Sequence, residues 1–317
     1  MLEILLDNKD GKVIDISELV SSVSWKTVRV GQPGSLDMRL VKHKDLKIES
    51  GAVVRVKANK QNVFYGYVFT IERSQDDDVQ VTAYDQIRYL LSNDTYVFSN
   101  ATATQIIRKI AQDFGLKVGS LADTGYRIPS LVEDNQKLLD IICKALDLTL
   151  ISTGNIFVFY DNFGSLTLQN ANNMRVNVVI GDESLAYGYS HKISIDDDTY
   201  NRIKLVQDNK DTGKREVYIA QDSRNIAKWG RLQYFEKVDD RLNAAQIRQR
   251  LNQLIQLKNR EKRTFTIDAL GDLRIRSGCY VPVQIKELGI NQYFLVDECT
   301  HKWDGSEHTM TLTLKVV

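Results

Sequence analysis

The chain has 317 residues and a mass of 36.2 kDa, which at about 150 residues per domain predicts two domains or three small ones. Apolar residues make up 43% and charged residues 26%, so a disordered chain is excluded. Lys plus Arg number 42 against 41 Asp plus Glu, and a net charge of +1 excludes whole-chain attraction to nucleic acid or an anionic membrane. The N-terminus, MLEILLD, carries Glu3 and Asp7 where a secretory signal needs a basic start and a longer apolar run. The longest uncharged apolar-rich stretch, Leu148–Tyr160, has 13 residues and includes Gly154 and Asn155, short of the roughly 20 that span a bilayer. A soluble protein without a membrane partner is expected. Cys143, Cys279 and Cys299 are odd in number and lack C-x-x-C spacing, so at least one stays free of intrachain disulfides, which suits a reducing compartment.

From Leu2 to about Tyr84, short β-rich runs alternate with turns: LEILL, KVIDIS, VSSVSWKTVRV, LDMRLV, AVVRVKA, VFYGYVFTIE and VQVTAY. The turns DNKDG and GQPGS supply the glycines that hairpins need. Residues 1–90 therefore read as a first small β-barrel. In Val63–Ile71 both faces of the strand are apolar. Phe64, Gly66, Val68 and Thr70 suit a barrel interior, leaving Tyr65, Tyr67 and Phe69 to be covered either by the rest of the chain or by a second subunit.

The period changes after Asp85. TATQIIRKIAQDF, Thr102–Phe114, places Ile106, Ile107, Ile110 and Phe114 on one helical stripe and ends at Gly115. A second helix is expected over Asn135–Leu146, followed by strands LTLIST, NIFVFY and SLTLQN, so residues 91–184 read as an α+β insert. Residues 185–317 read as a second β-barrel: SHKISI, NRIKLVQDN, REVYIAQD and GRLQYFEKV, then an inserted helix at about 241–262, then TFTIDA, YVPVQIK, QYFLVDECTHKW and HTMTLTLKV. The segment Ser50-Gly51-Ala52-Val53-Val54-Arg55-Val56 recurs as Ser277-Gly278-Cys279-Tyr280-Val281-Pro282-Val283, with the same kinds of element after each copy. The fold class expected is mainly β with an α+β insert, two similar small β-barrels flanking it. The repeat predicts a shared strand order that pairs Val54 with Val281 and Val56 with Val283.

No catalytic motif is present: G-x-S-x-G, Walker A, G-x-G-x-x-G after a strand and H-E-x-x-H are all missing. No enzymatic activity and no cofactor is expected. DNKDG (7–11) and DNKDTG (208–213) resemble calcium loops, but Lys9 and Lys210 stand where an oxygen ligand belongs, so both read as turns. Asp196-Asp197-Asp198 reads as a solvated turn, Cys143 as a small core residue, and His43 and His191 as isolated. A two-residue turn at Asp304-Gly305 would set His301 directly opposite His308, a pair able to hold a metal but lacking a third ligand. The basic helix face of Arg241, Arg248, Arg250, Lys258, Arg260, Lys262 and Arg263 is interrupted by Asp239, Asp240 and Glu261, which favours solvent or an acidic protein over nucleic acid.

With these elements placed, VTAYDQIRYLLSNDTYVFSNATATQIIRKIAQDFGL (81–116), RSGCYVPVQIKELG and QYFLVDECTHKWDGSEHTMTLTLKV resemble the baseplate hub proteins of contractile phage tails, of the kind found in defective prophages of Gram-positive bacteria. The resemblance covers essentially the whole chain. It implies a homotrimeric adaptor between a hexameric tail tube, or its initiator, and a central spike, touching tape-measure and wedge proteins and assembled in the bacterial cytoplasm into a virion or phage-like particle. Two alternatives remain. A tail-associated peptidoglycan hydrolase would need paired carboxylates in a cleft, and a carbohydrate-binding module would use Trp25, Trp229, Trp303 and tyrosines as stacking platforms.

Overall fold

The structure, a computed structural model, describes residues 2–73, 75, 78–196, 198–209 and 213–315. Seven strands come first: β1 (Leu2–Asp7), β2 (Val13–Asp15), β3 (Val20–Val28), β4 (Ser35–Val41), β5 (Val53–Ala58), β6 (Gln61–Arg73) and β7 (Asp78–Tyr84). DNKDG and GQPGS make the turns expected of them, with Lys9 and Gly11 at positive φ and the Asp7 carboxylate accepting the Lys9 N–H. An insert follows, of β8 (Asn93–Thr102), α1 (Ala103–Asp113), β9 (Val118–Leu121), β10 (Arg127–Lys137), α2 (Leu138–Thr153), β11 (Phe157–Asp161) and β12 (Leu166–Asn170). The remainder is β13 (Ile180–Gly181), β14 (Ala186–Ser194), β15 (Arg202–Asn209), β16 (Lys214–Gln221), α3 (Ser223–Trp229), β17 (Gln233–Lys237), α4 (Ala244–Lys258), β18 (Lys262–Leu270), β19 (Tyr280–Ile285), β20 (Ile290–Asp304) and β21 (Glu307–Lys315).

The protein is mainly β. The first seven strands run in the order β2-β1-β5-β6-β7-β4-β3, and the second set in the order β13-β19-β20-β21-β18-β14. Matching positions in the two orders place β5 with β19, β6 with β20, β7 with β21, β4 with β18 and β3 with β14. Local geometry follows: Gly51 and Gly278 sit at φ 82° and 88°, donate to Val68 O and Val296 O at 2.7 and 2.8 Å, and precede Val54 and Val281, both fully buried. Val56 and Val283 likewise share a place. One edge differs, since β1 lies antiparallel to β5 while β13 lies parallel to β19.

The two sets are not separate. β3 pairs with β20, so both belong to one 13-stranded sheet, and among the described residues no ladder closes either set into a barrel. The cores nonetheless remain distinct, one around Ile4, Leu36, Val54 and Val81, the other around Phe265, Val281, Val296 and Leu312.

Two expectations are corrected. LTLIST is the last third of α2, not a strand: Thr149 and Thr153 hydroxyls donate to carbonyls four residues back, and Gly154 ends the helix at φ 73°. Its apolar run serves as well for a helix buried on several sides as for a strand, and Ile151 extends it into a core with Ile203, Leu205, Ile247 and Leu254. That core belongs to a substructure whose three strands the sequence assigns to the second barrel, with only the helix as an insertion. β15, β16 and β17 form their own sheet covered by α4, with α3 unforeseen, all inserted between β14 and β18. The step from β3 to β4 uses only residues 29–34, whereas the matching step from β14 to β18 uses residues 195–261.

Candidate assembly interface

Tyr65, Tyr67 and Phe69 project from β6 on the face away from Phe64 and Val68, and all three are half-buried. Their partners come from β7, from the segment that follows it and from the insert. Tyr67 meets Tyr89 edge-on at 5.5 Å, Phe69 meets Tyr84 at 5.5 Å and Tyr89 at 5.8 Å, and Tyr65 meets Phe163 at 5.7 Å. Arg88 lies over Phe69 and Lys9 over Tyr67. Gly164 at φ 80° leaves the space that Tyr65 fills, where a Cβ would stand 2.7 Å from the ring. The chain thus covers part of this stripe itself. A concavity of about 480 Å³ remains between Tyr65, Tyr67, Tyr89, Phe114, Lys117 and Phe163.

Beneath the stripe lies a buried polar junction that motif reading missed, because its members come from three separate stretches. The Asp85 carboxylate accepts the Gly34 and Ile87 N–H groups, and Asp161 accepts from Gln86 Nε2 at 2.8 Å and from the Gly164 N–H. Arg276, from the second strand set, stacks 4.0 Å over Tyr160 and donates to the Asp161 carbonyl. Burial, then their mutual repulsion, pushes the Asp85 carboxyl well above the usual range; burial pushes Asp161 upward too, opposed by Gly164, Gln86 and Arg276.

A second buried cluster fills the seam between β3 and β20. The register sets Trp303 opposite His308 and His301 opposite Met310, because the chain reverses at Gly305-Ser306 rather than Asp304-Gly305. The two histidines are diagonal neighbours, not the facing pair expected, yet His301 Nδ1 lies 3.0 Å from His308 Nε2. His301 Nε2 lies 2.8 Å from the Ile275 carbonyl, which fixes the tautomer: Nε2–H donates there, and Nδ1 accepts from His308. Trp25 and Trp303 flank His301 at 5.2 and 5.8 Å. Burial pushes His301 down to about 4 and lowers His308 as well. Among the described residues no group of three His, Cys, Asp or Glu is arranged to hold a metal.

The other candidates are absorbed locally. The three cysteines are free, Cys279 and Cys299 buried, and burial raises the Cys143 thiol to about 11. The basic helix face is largely paired: Arg241 with Asp239, Arg250 with Glu236, Lys258 with Asp198 and Arg263 with Glu261. Asp197 and residues 210–212 lie outside the described residues. His43 is exposed and its Nδ1 accepts the Asp45 N–H, while His191 tilts against Phe265. No helix of the described residues is long and apolar enough to cross a membrane.

A family model described as YQBQ-like matches residues 23–315. The chain is 38% identical over 306 residues to the phage-like element PBSX protein XkdQ of Bacillus subtilis (strain 168), covering 93% of this chain and 92% of that protein. Its fold is similar to a tail protein from Neisseria meningitidis MC58, with a TM-score of 0.75 at 14% identity over 99% of this chain and 96% of that one. It is also similar to the 43 kDa tail protein of prophage MuSo2 from Shewanella oneidensis, with a TM-score of 0.71 at 17% identity over 98% of both chains. The chain belongs to the YQBQ-like family, with a relative in a phage-like element and the fold of prophage tail proteins.

Proposed function

We propose that the chain is a non-enzymatic baseplate hub of a contractile tail or tail-like particle. In this reading three copies form a ring that joins a hexameric tube, or its initiator, to a central spike, in contact with tape-measure and wedge proteins. The observation that carries it is the strand order repeated within one chain: a ring of three such chains offers six similar modules to a six-fold tube. Assembly takes place in the bacterial cytoplasm, with no sequence-specific nucleic acid and no membrane as partner. Tyr65, Tyr67 and Phe69 border a subunit contact, their half-covered stripe completed by a neighbour.

The two alternatives are less well supported. Trp25 and Trp303 are 6% and 7% exposed inside the β3–β20 seam, which removes two of the three tryptophans as stacking platforms for a sugar. The paired carboxylates, Asp85 and Asp161, are buried and tied to N–H donors inside the junction rather than lining a cleft. Labelling a tagged chain in purified tail particles tests the hub: label at the baseplate with three-fold averages is expected, and label along the tube or sheath, or none, overturns it. Turnover of cell-wall substrate abolished by one carboxylate substitution would overturn the non-enzymatic reading.

A further inference from the structure

The large sheet contains one junction between its two halves, β3 against β20, and both halves of a second such junction stand open on the same chain. β14 holds the place of β3. Each is the last strand of its set, beside β18 and β4 respectively, and each skips one residue at the same step, Ala186/Gly188 and Val20/Ser22. Aligned through these bulges and the matching β4 and β18 ladders, Trp25, Lys26, Thr27 and Val28 correspond to His191, Lys192, Ile193 and Ser194. β6 holds the place of β20. Its register with β7 shifts at Val68/Thr70 as that of β20 with β21 shifts at Val296/Glu298, so residues 70–73 correspond to residues 298–301.

Within the chain, Val28, Thr27, Lys26 and Trp25 pair with Glu298, Cys299, Thr300 and His301. The equivalent edges have no such neighbour. Among the described residues β14 pairs only with β18, and Thr70–Arg73 pair only with β7, since β5 reaches no further than Tyr67. We propose that β14 of one copy of this chain pairs antiparallel with residues 70–73 of β6 in the next copy, repeating between chains the junction that β3 and β20 make within one.

Carried over residue by residue, the register sets Ser194 against Thr70, Ile193 against Ile71, Lys192 against Glu72 and His191 against Arg73 of the next copy. The middle two pairs are chemically matched, apolar with apolar and cation with anion. Ile193 is 53% and Tyr187 64% exposed on a nine-residue strand with an open edge, a surface that a lone soluble chain has reason to cover. The contact joins two different surfaces, so it runs head to tail and closes into a ring when the steps add to a full turn. It rests on the ring reading above and names the contact that builds the ring.

Ile71→Cys with Ile193→Cys tests the pairing, because the Cα atoms of facing residues in an antiparallel pair, about 4.5–5.5 Å apart, lie within disulfide reach. The double variant is oxidised both in tail particles and as concentrated purified chain. Covalent dimers and trimers on a non-reducing gel, absent from each single variant, are expected; monomer alone in both preparations overturns the pairing. If the double variant does not fold, the charge pair decides. Lys192→Glu or Glu72→Lys alone is expected to lower the chain's abundance in particles, or its oligomer in solution, at least about fivefold. The exchange of both restores it. Unchanged singles, or no restoration, overturn the pairing, whereas a tagged wild-type chain absent from the baseplate overturns the hub reading and leaves the cross-link in solution to judge the strands.

Discussion

At the scale of single residues, His301 carries the clearest pH signature. Its ring, buried between Trp25 and Trp303, is held neutral with a pKa of about 4 against an ordinary 6.5. The unfolded chain therefore binds the extra proton between these values, and the stability His301 contributes is complete above pH 6.5 and lost as pH falls toward 4. The difference amounts to about 3 kcal/mol. Urea melts of wild type and His301→Gln should diverge by that amount across this window, with wild type the steeper; parallel profiles would reject the assignment. Tyr67 poses a different question. Tyr67→Glu places a charge among Tyr65, Tyr89 and Lys9, and in the hub reading it lowers incorporation into particles while leaving the circular dichroism spectrum unchanged. Wild-type incorporation would show that the chain's own aromatics are all the cover the stripe needs.

At the scale of elements, local signals explain the helices well. Thr102 and Gln105 exchange side-chain to backbone hydrogen bonds at the start of α1, as Asn243 and Gln246 do for α4. Thr102→Ala and Asn243→Ala should each cost about 1 kcal/mol in chemical denaturation. The end of α2 is informative in a different way. Gly154→Ala, at φ 73°, should cost about 1 kcal/mol if the helix runs through LTLIST, whereas a strand would give a smaller and differently signed effect. The Leu138, Leu139 and Ile142 stripe was legible from spacing because it faces one core, with α1. The turn that follows was not, because Ile151 faces another core, built from residues fifty to a hundred positions later.

At the scale of the whole molecule, Arg276 ties the second strand set to the insert. It stacks on Tyr160 and lowers the cost of the Asp85 and Asp161 charges. Arg276→Met, which removes a charged donor from the Asp161 carbonyl, should destabilise the junction by about 1.5–3 kcal/mol. The loss should grow as pH rises, because the carboxyls, already pushed upward by burial, take up protons as pH falls and then no longer need the cation. Hydrogen exchange at residues 85–91 and 157–164 measures it, and a loss that does not grow with pH would reject the electrostatic account. The substructure at residues 195–261 makes the opposite prediction. Ser194 and Lys262 are already paired neighbours, so replacing residues 195–261 by a short turn should leave the 13-stranded sheet folded, with Ile151 newly exposed. Loss of the β signal in circular dichroism would show that the insertion is needed to fold its host.

Apolar periodicity, glycine-bearing turns and caps act within a few residues, and they sufficed for most strands, for α1, α4 and the first two-thirds of α2, and for the repeat of Ser50–Val56 in Ser277–Val283. Those patterns also carried the family resemblance, because a strand order repeated in one chain repeats its local signals. What lay beyond them depended on distant partners. The merging of the halves through β3 and β20, the chain reversal one residue past Asp304 and the fate of LTLIST were decided by contacts between residues far apart in sequence. So was the meeting of Asp85, Asp161 and Arg276: each is an ordinary charged residue in its own stretch, and only the packing of strand sets against insert buries them together. Burial is a property of the assembled fold, and the altered proton affinities that follow from it come into being only there.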